Sequence, residues 1–418
     1  MRVLLASDFY PPTVGGMERH VSRIAAELTT RGHHVEVVTS ATSKAPNGST
    51  DDGVVVHRLR GSLSKVPGAY QDSERPFPVP AADPGLVAGL HSVVERFQPD
   101  VVHTHGWMTF PAAKVSGSKR HALVTTVHDS GLLCSKRALH YLDREPCSGP
   151  SVLGCVRCAS SHYGVVKGLG LAATLRASRH LLDRVDMFLP VAGVLGDMLA
   201  GTPGLGDIPR TTIPNFFDLD RIPSPDTPRP ASVPEHGPYV LFVGTLGKFK
   251  GVHALVDVWR RFAPPAQLVL MGMPTYDTPT DLPANVTMVT DVAHAEVMAA
   301  FQHCAFAVLP SQFPEPSPTV VLEPMACGRP VIASDIGGIP DLIDDGVTGL
   351  LVPHDDLQAL AVAIHRLLDD HELREKLGAN AKVRSRLFAQ QAIVDRIEVA
   401  YRQTLQGRPS RVGIQVQT

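Results

Sequence analysis

No stretch of about 18 uninterrupted apolar residues occurs in this sequence, so no membrane-spanning helix is expected. An excess of charge of either sign is missing too: the formal net charge is −2 over 418 residues. That balance argues against a nucleic-acid partner and against a polybasic membrane footprint. The opening MRVLLASDFYPP has one basic residue and an apolar run that ends at Ser7 and Asp8. It is too short for the core of a signal peptide, so a cytoplasmic protein is expected, with membrane contact at most peripheral at the inner face. The dinucleotide fingerprint G-x-G-x-x-G does not follow the first strand. No short fixed repeat is visible. Cysteine is sparse, six in all, and only its placement is informative.

What is present is an α/β rhythm. RVLLAS (2–7), HVEVVTS (34–40), VVVHRL (54–59), DVVHTHG (100–106), ALVTTVHD (122–129) and MFLPVAG (187–193) are short apolar runs. Helical segments at 19–32 and near 84–97 separate some of them. A second series follows a stretch with seven prolines (214–238), read as loop and linker. It comprises 239–245, 267–272, 285–290, 306–311, 330–334 and 349–353, and the tail from Leu357 to Leu405 reads as helical. Strands alternating with helices predict parallel sheets covered by helices. A chain of this length is expected to hold two or three domains. The division expected is 1–210, carrying a Cys-rich insertion at about 130–165, then 211–387, then a C-terminal helical segment 388–418. Two doubly wound domains in tandem would bind ligands beyond the carboxyl ends of their strands, in a cleft.

Chemistry-bearing residues fall just after strands. Gly15 and Gly16 precede a helix start, where free N–H groups and the dipole suit a phosphate; a flexible turn is the plainer reading. His128 closes a strand, with His103 and His105 as supports of the same region. Lys248 and Lys250, in FVGTLGKFKGV, could meet a diphosphate or form a solvated turn. In PEPSPTVVLEPMACG (314–328), Pro318 is expected as the first helical residue. The amides of Thr319 and Val320 would form an anion site. Glu315 would then precede the helix and Glu323 would lie in its second turn, where a ribose diol could satisfy it.

Together these motifs resemble the retaining glycosyltransferases of family four, over nearly the whole chain. They are G-G-x-E near the start, H-D mid-chain, G-x-L-x-x-x-K-G, two glutamates eight apart, then G-x-P-V-I-A-S and G-G-I-P. The resemblance implies the GT-B fold: two Rossmann-like doubly wound domains facing a central cleft, with a C-terminal helix crossing back to the N-terminal domain. It implies transfer of a sugar from a nucleotide diphosphate donor, of the UDP- or GDP-sugar type, to a hydroxyl of an unknown glycan, lipid or small-molecule acceptor. No catalytic metal is expected. His128, Lys250 and Glu315 would be catalytic. Gly15, Gly16, Thr245, Lys248, Ser317, Thr319, Val320 and Glu323 would bind the donor, and Asn215 would lie near the hinge. Two positions depart from the pattern: Thr245 stands where an arginine is usual, and Pro318 where a glycine is usual. A sugar phosphorylase, a nucleotide-sugar epimerase and a non-catalytic nucleotide-sugar binder are the competing readings.

Cys134, Cys147, Cys155 and Cys158 form a separate cluster ending in C-x-x-C. Four thiolates suit a structural zinc ion; free thiols and a redox pair are the alternatives. The segment 165–188, with Lys167, Arg176, Arg179 and Arg184 among apolar residues, could meet a lipid surface or be a packed helix.

Overall fold

The computed structural model describes residues 1–13, 15–42, 45, 48–51, 53–62, 78–118, 121–142, 145–147 and 149–407. The chain divides into two compact units. Unit 1 takes Met1–Val191, Leu195–Ile213 and the C-terminal stretch from Val394; unit 2 takes Ala192–Val194 and Pro214–Ile393.

The strands of unit 1 are β1 (Arg2–Ser7), β2 (His34–Ser40), β3 (Ser49–Asp51), β4 (Val54–Leu59), β5 (Val101–His105), β6 (Ala122–Val127), β7 (His140–Tyr141), β8 (Glu145–Pro146) and β9 (Met187–Pro190). Seven form one sheet in the order β3-β4-β2-β1-β5-β6-β9. Its pairs are parallel except β3 with β4 at the edge. Val3, Leu4, Leu5 and Ala6 of β1 are wholly buried, as befits a parallel strand covered on both faces. Because β1 lies between β2 and β5, the winding reverses there. That switch point is where an open α/β sheet holds ligands.

Unit 2 repeats the plan. Its strands β10 (Tyr239–Thr245), β11 (Gln267–Met273), β12 (Val286–Val289), β13 (Phe306–Leu309), β14 (Val331–Ser334) and β15 (Gly349–Val352) form an all-parallel sheet in the order β12-β11-β10-β13-β14-β15. The switch point falls between β11 and β13, at β10. The main strands thus lie where the short apolar runs put them.

Three local differences have physical causes. The first helix spans Gly16–Thr30 and so starts three residues before the expected 19; Glu18 in its first turn complements the helix dipole. The stretch 165–188 is not one helix: it is helical over Val165–Ser178 and gives way to a short tight turn and then to β9. The insertion folds as the β7–β8 hairpin followed by a helix, Val152–Tyr163, capped by Ser151.

The C-terminal helix Gln390–Gln406 buries Ile393, Val394, Ile397, Ala400 and Tyr401 along one face. From Val394 it belongs to unit 1, where Arg31 bonds Asp395 at 2.6 Å and His33 bonds Glu398 at 2.5 Å. Residues 408–418 of the expected tail segment lie outside the described residues.

Candidate functional site

In unit 2 the loops after β10 and β13 leave adjacent strands, so they emerge side by side at the switch point. Lys250 sits in the turn Lys248–Lys250. Gly251 follows with φ +80°, and a Cβ there would lie 1.9 Å from the Pro310 carbonyl oxygen. Only glycine lets this turn approach the end of β13 so closely. Lys250 Nζ then reaches Glu315 Oε2, and Ser311 donates its hydroxyl to Glu315 Oε1; both contacts are short. The Glu315 side chain is 11% exposed and that of Lys250 31%. The loop is backed by the turn after β14. Gly338 N–H donates to the Glu315 carbonyl at 2.8 Å, and a Cβ on Gly337 would stand 2.6 Å from that same oxygen.

The helix Thr319–Ala326 follows directly, with Thr319 and Val320 in its first turn. Pro318 corrects the expectation: it is the N-cap, with an extended ψ of 118°, not the first helical residue. The cause lies one residue earlier. Ser317 is buried, its hydroxyl oxygen accepts from Asn215 N–H at 3.0 Å, and its carbonyl accepts from Asn215 Nδ2 at 2.8 Å. That clamp fixes Ser317 and the loop ahead of the helix. Glu323 meets His294 Nε2 at 3.0 Å. Thr245 ends β10 exposed. Lys248 is also exposed, and its backbone N–H donates to Asp277 at 3.0 Å. The Thr275 hydroxyl and that N–H hold the Asp277 carboxyl below its usual range.

Unit 1 assembles a different kind of group at its own switch point. Gly15 and Gly16 lie after β1, His105 ends β5, and His128 follows β6. A Cβ on Gly16 would meet nothing within 4 Å, whereas one on Gly15 would stand 2.2 Å from the buried Glu18 carboxylate, so the space is open at Gly16 and filled at Gly15. His105 Nδ1 bonds His128 Nε2 at 2.9 Å. The His20 ring stands edge-on to His128 with centroids 4.8 Å apart. His103 is wholly buried, bonded to Tyr401 Oη and to Thr126 Oγ1 at 2.7 Å each. Burial, then the neighbouring His128, pushes the His103 pKa down to about 3. His20 is driven well below the usual range by burial, then by His128 and His103, and His105 by burial, then by His103, His128 and His20. The buried imidazoles are therefore neutral.

Beside them Asp8 is fully buried. Burial raises its pKa to about 6 against the pull of Arg137 and of the Trp107 and Met108 backbone N–H groups. Met108 N–H donates to Asp8 at 2.8 Å. Arg137 bridges Asp129 at 3.0 Å and Asp8 at 3.5 Å. Sequence reasoning missed Asp8, His20, Arg137, Ser311 and His294. Asp8 was discoverable, since it directly follows β1; the others owe their place to tertiary contacts.

The four clustered cysteines are free and line one cavity of about 340 Å³. Among the described residues the donor set that closes to within 4.8 Å is His20, His105 and His128; the sulfurs stand wider apart.

Comparison with known proteins supplies the class. Residues 14–221 match the family described as Glycosyltransferase Family 4, and residues 224–384 match Glycosyl transferases group 1. Both describe glycosyltransferases and together they span most of the chain. The chain belongs to the family-four glycosyltransferases. A curated relative, the glycogen synthase of Mycobacterium tuberculosis, is 27% identical over 409 residues, which cover 92% of this chain and 90% of the relative. Sucrose-phosphate synthase from Thermosynechococcus elongatus aligns with a TM-score of 0.72 at 22% identity, over 98% of this chain and 100% of that one. HepE from Anabaena in complex with UDP aligns at 0.68 and 20% identity, over 96% and 100%. The fold is that of GT-B glycosyltransferases.

Proposed function

We propose that the protein moves a sugar from a nucleotide diphosphate donor, of the UDP- or GDP-sugar type, to an acceptor hydroxyl on a glycan, lipid or small molecule. The anomeric configuration is retained and no catalytic metal is required. The observation that carries this reading is the Lys250–Glu315 pair beside the helix start at Thr319. Departure of a nucleoside diphosphate develops negative charge, and catalysis is chiefly stabilisation of that charge. Lys250 and the amides of Thr319 and Val320 supply it here, so the cation role falls to lysine. Glu315, already oriented by Ser311, takes the sugar hydroxyls, and Glu323 takes the ribose. Lys248 stands near enough in sequence to assist at the position where Thr245 offers no charge.

The histidine group led by His128 is assigned to the sugar's reacting end and Gly16, with open space beside it, to the diphosphate; Gly15 is closed off by the Glu18 carboxylate and serves through its backbone alone. Glu315 and Glu323 lie on one loop and helix and are assigned different parts of one donor. They are not an acid and base flanking a single glycosidic bond. The HepE complex with UDP, in the same fold, agrees with a nucleotide donor. The reading places the protein in the cytoplasm. The exposed Val152, Leu153, Val165 and Val166 beside Lys167 would give it a peripheral hold on the inner membrane face.

The test is a thermal-shift screen of nucleotide sugars, followed by assay of the stabilising donor with and without chelator and by determination of the product's anomer. Slow nucleotide release without acceptor is expected. Rapid formation of a free epimer, or an inverted product, would overturn the reading. Cellular product formation left intact by Glu315→Ala would mark the protein as a non-catalytic binder.

A further inference from the structure

The cysteine-rich insertion has no part in the donor chemistry, yet its fold brings four distant thiols to one place. Cys155 and Cys158 lie one turn apart on the helix Val152–Tyr163 and share the cavity wall with Cys134 and Cys147. Ser151 caps that helix by accepting from Gly154 N–H at 3.2 Å, which leaves the positive end of the dipole under the first turn. Cys134 follows a tight turn and is fixed by its N–H to the Ser130 carbonyl at 2.8 Å; Cys147 leaves the β7–β8 hairpin with its N–H on the Leu139 carbonyl at 2.8 Å. The buried Cys158 Sγ accepts a backbone N–H from Leu142 at 3.2 Å. An N–H aimed at sulfur is the outer-shell contact that steadies a thiolate ligand.

We propose that Cys134, Cys147, Cys155 and Cys158 hold one structural zinc ion as a tetrathiolate centre, pinning the hairpin to the helix. Binding converts four thiols to thiolates with release of four protons, and nothing is oxidised. Zinc–sulfur bonds of about 2.3 Å place the sulfurs about 3.8 Å apart. Binding would bring the four sulfurs around the cavity to that spacing. The centre is independent of the transferase reading and stands or falls separately from it.

The experiment is elemental analysis of the full chain, purified without chelator and with any affinity tag removed. About one zinc per chain is expected. Cys155→Ser with Cys158→Ser should lose the metal and lower the melting temperature by several degrees, whereas His20→Ala should keep it. Wild-type protein reloaded with cobalt(II) should show thiolate-to-cobalt charge-transfer absorption, a readout that does not depend on the variants folding. Any one of four results overturns the proposal. These are zinc-free, fully stable wild-type protein; zinc retained by the cysteine variant; zinc lost from folded His20→Ala; and a wild-type mass two or four daltons low under denaturing, non-reducing conditions.

Discussion

The two switch points of this chain are built from different groups. In unit 2 the candidate residues are charged and reach solvent: Lys250 is 31% exposed and its partner Glu315 11%. In unit 1 the imidazoles His20, His103 and His105 are buried, with burial holding their pKa values down, beside the buried Arg137 that bridges Asp8 and Asp129. On the proposed reading, charge at the first meets the charge of a departing diphosphate. Neutral imidazoles at the second can donate or accept without opposing that charge. The same doubly wound plan therefore supports two site chemistries, and the difference resides in the loops after the strands.

Removing charge from unit 2 should have the largest effect. Lys250→Met is expected to lower kcat/KM by about 10²–10³-fold, the scale of losing one charge-stabilising group. It also leaves Glu315 short of its cation in a mostly buried site, at a cost of about 2 kcal/mol after allowance for the exposure of Lys250. Adding Glu315→Gln should restore the melting temperature without restoring activity. Recovery of both, measured by initial rates and thermal denaturation, would mean that the pair is structural. In unit 1, His128→Ala should lower kcat by about 10²-fold, within the range for one proton-handling or polarising group, with donor affinity nearly unchanged. A change confined to donor KM would move His128 from the reacting centre to binding.

Much of this contrast was readable in the sequence. Apart from the polar edge strand β3, the strands of the two sheets are short apolar runs, and Gly15, His128, Lys250 and Glu315 are found after such runs. What was hidden depends on contacts without a local pattern. Tyr401 bonds His103 across 298 positions, and His294 meets Glu323 from another helix. The clamp of Asn215 on Ser317, across 102 positions, has no local signature in the sequence. The helix Val152–Tyr163 was missed because cysteines, serines and a glycine blur its period, while its capping Ser151 is a signal that could have found it.

The neutrality of the unit 1 cluster predicts acid sensitivity. The His103 pKa falls from 6.5 to about 3 on folding, so the unfolded chain binds this proton first. Stability from this group is complete above pH 6.5 and is lost as pH falls toward 3, by about 2 kcal/mol at pH 5. Asp8, raised from 3.8 to about 6, works the other way: its folded form keeps the proton, so stability falls as pH rises from about 4 to 6. His20 and His105 act with His103, so the three histidines should outweigh the one carboxyl. Thermal melts from pH 8 to 5 should show a net loss, smaller in folded His103→Gln; a rising melting temperature on acidification would reverse the sign.

The smallest effect expected is that of Tyr401→Phe. It removes one hydroxyl from the C-terminal helix and leaves His103 Nδ1 without its 2.7 Å partner. A buried polar atom stripped of its hydrogen bond costs about 1–3 kcal/mol, while the ring and its packing stay. The loss should appear as a lower melting temperature with kcat nearly unchanged, because His103 is wholly buried within unit 1 between Thr126 and Tyr401. A fall in kcat with stability intact would instead show that the tyrosine hydroxyl tunes His128 through the stacked imidazoles, and the buried cluster would then share in catalysis.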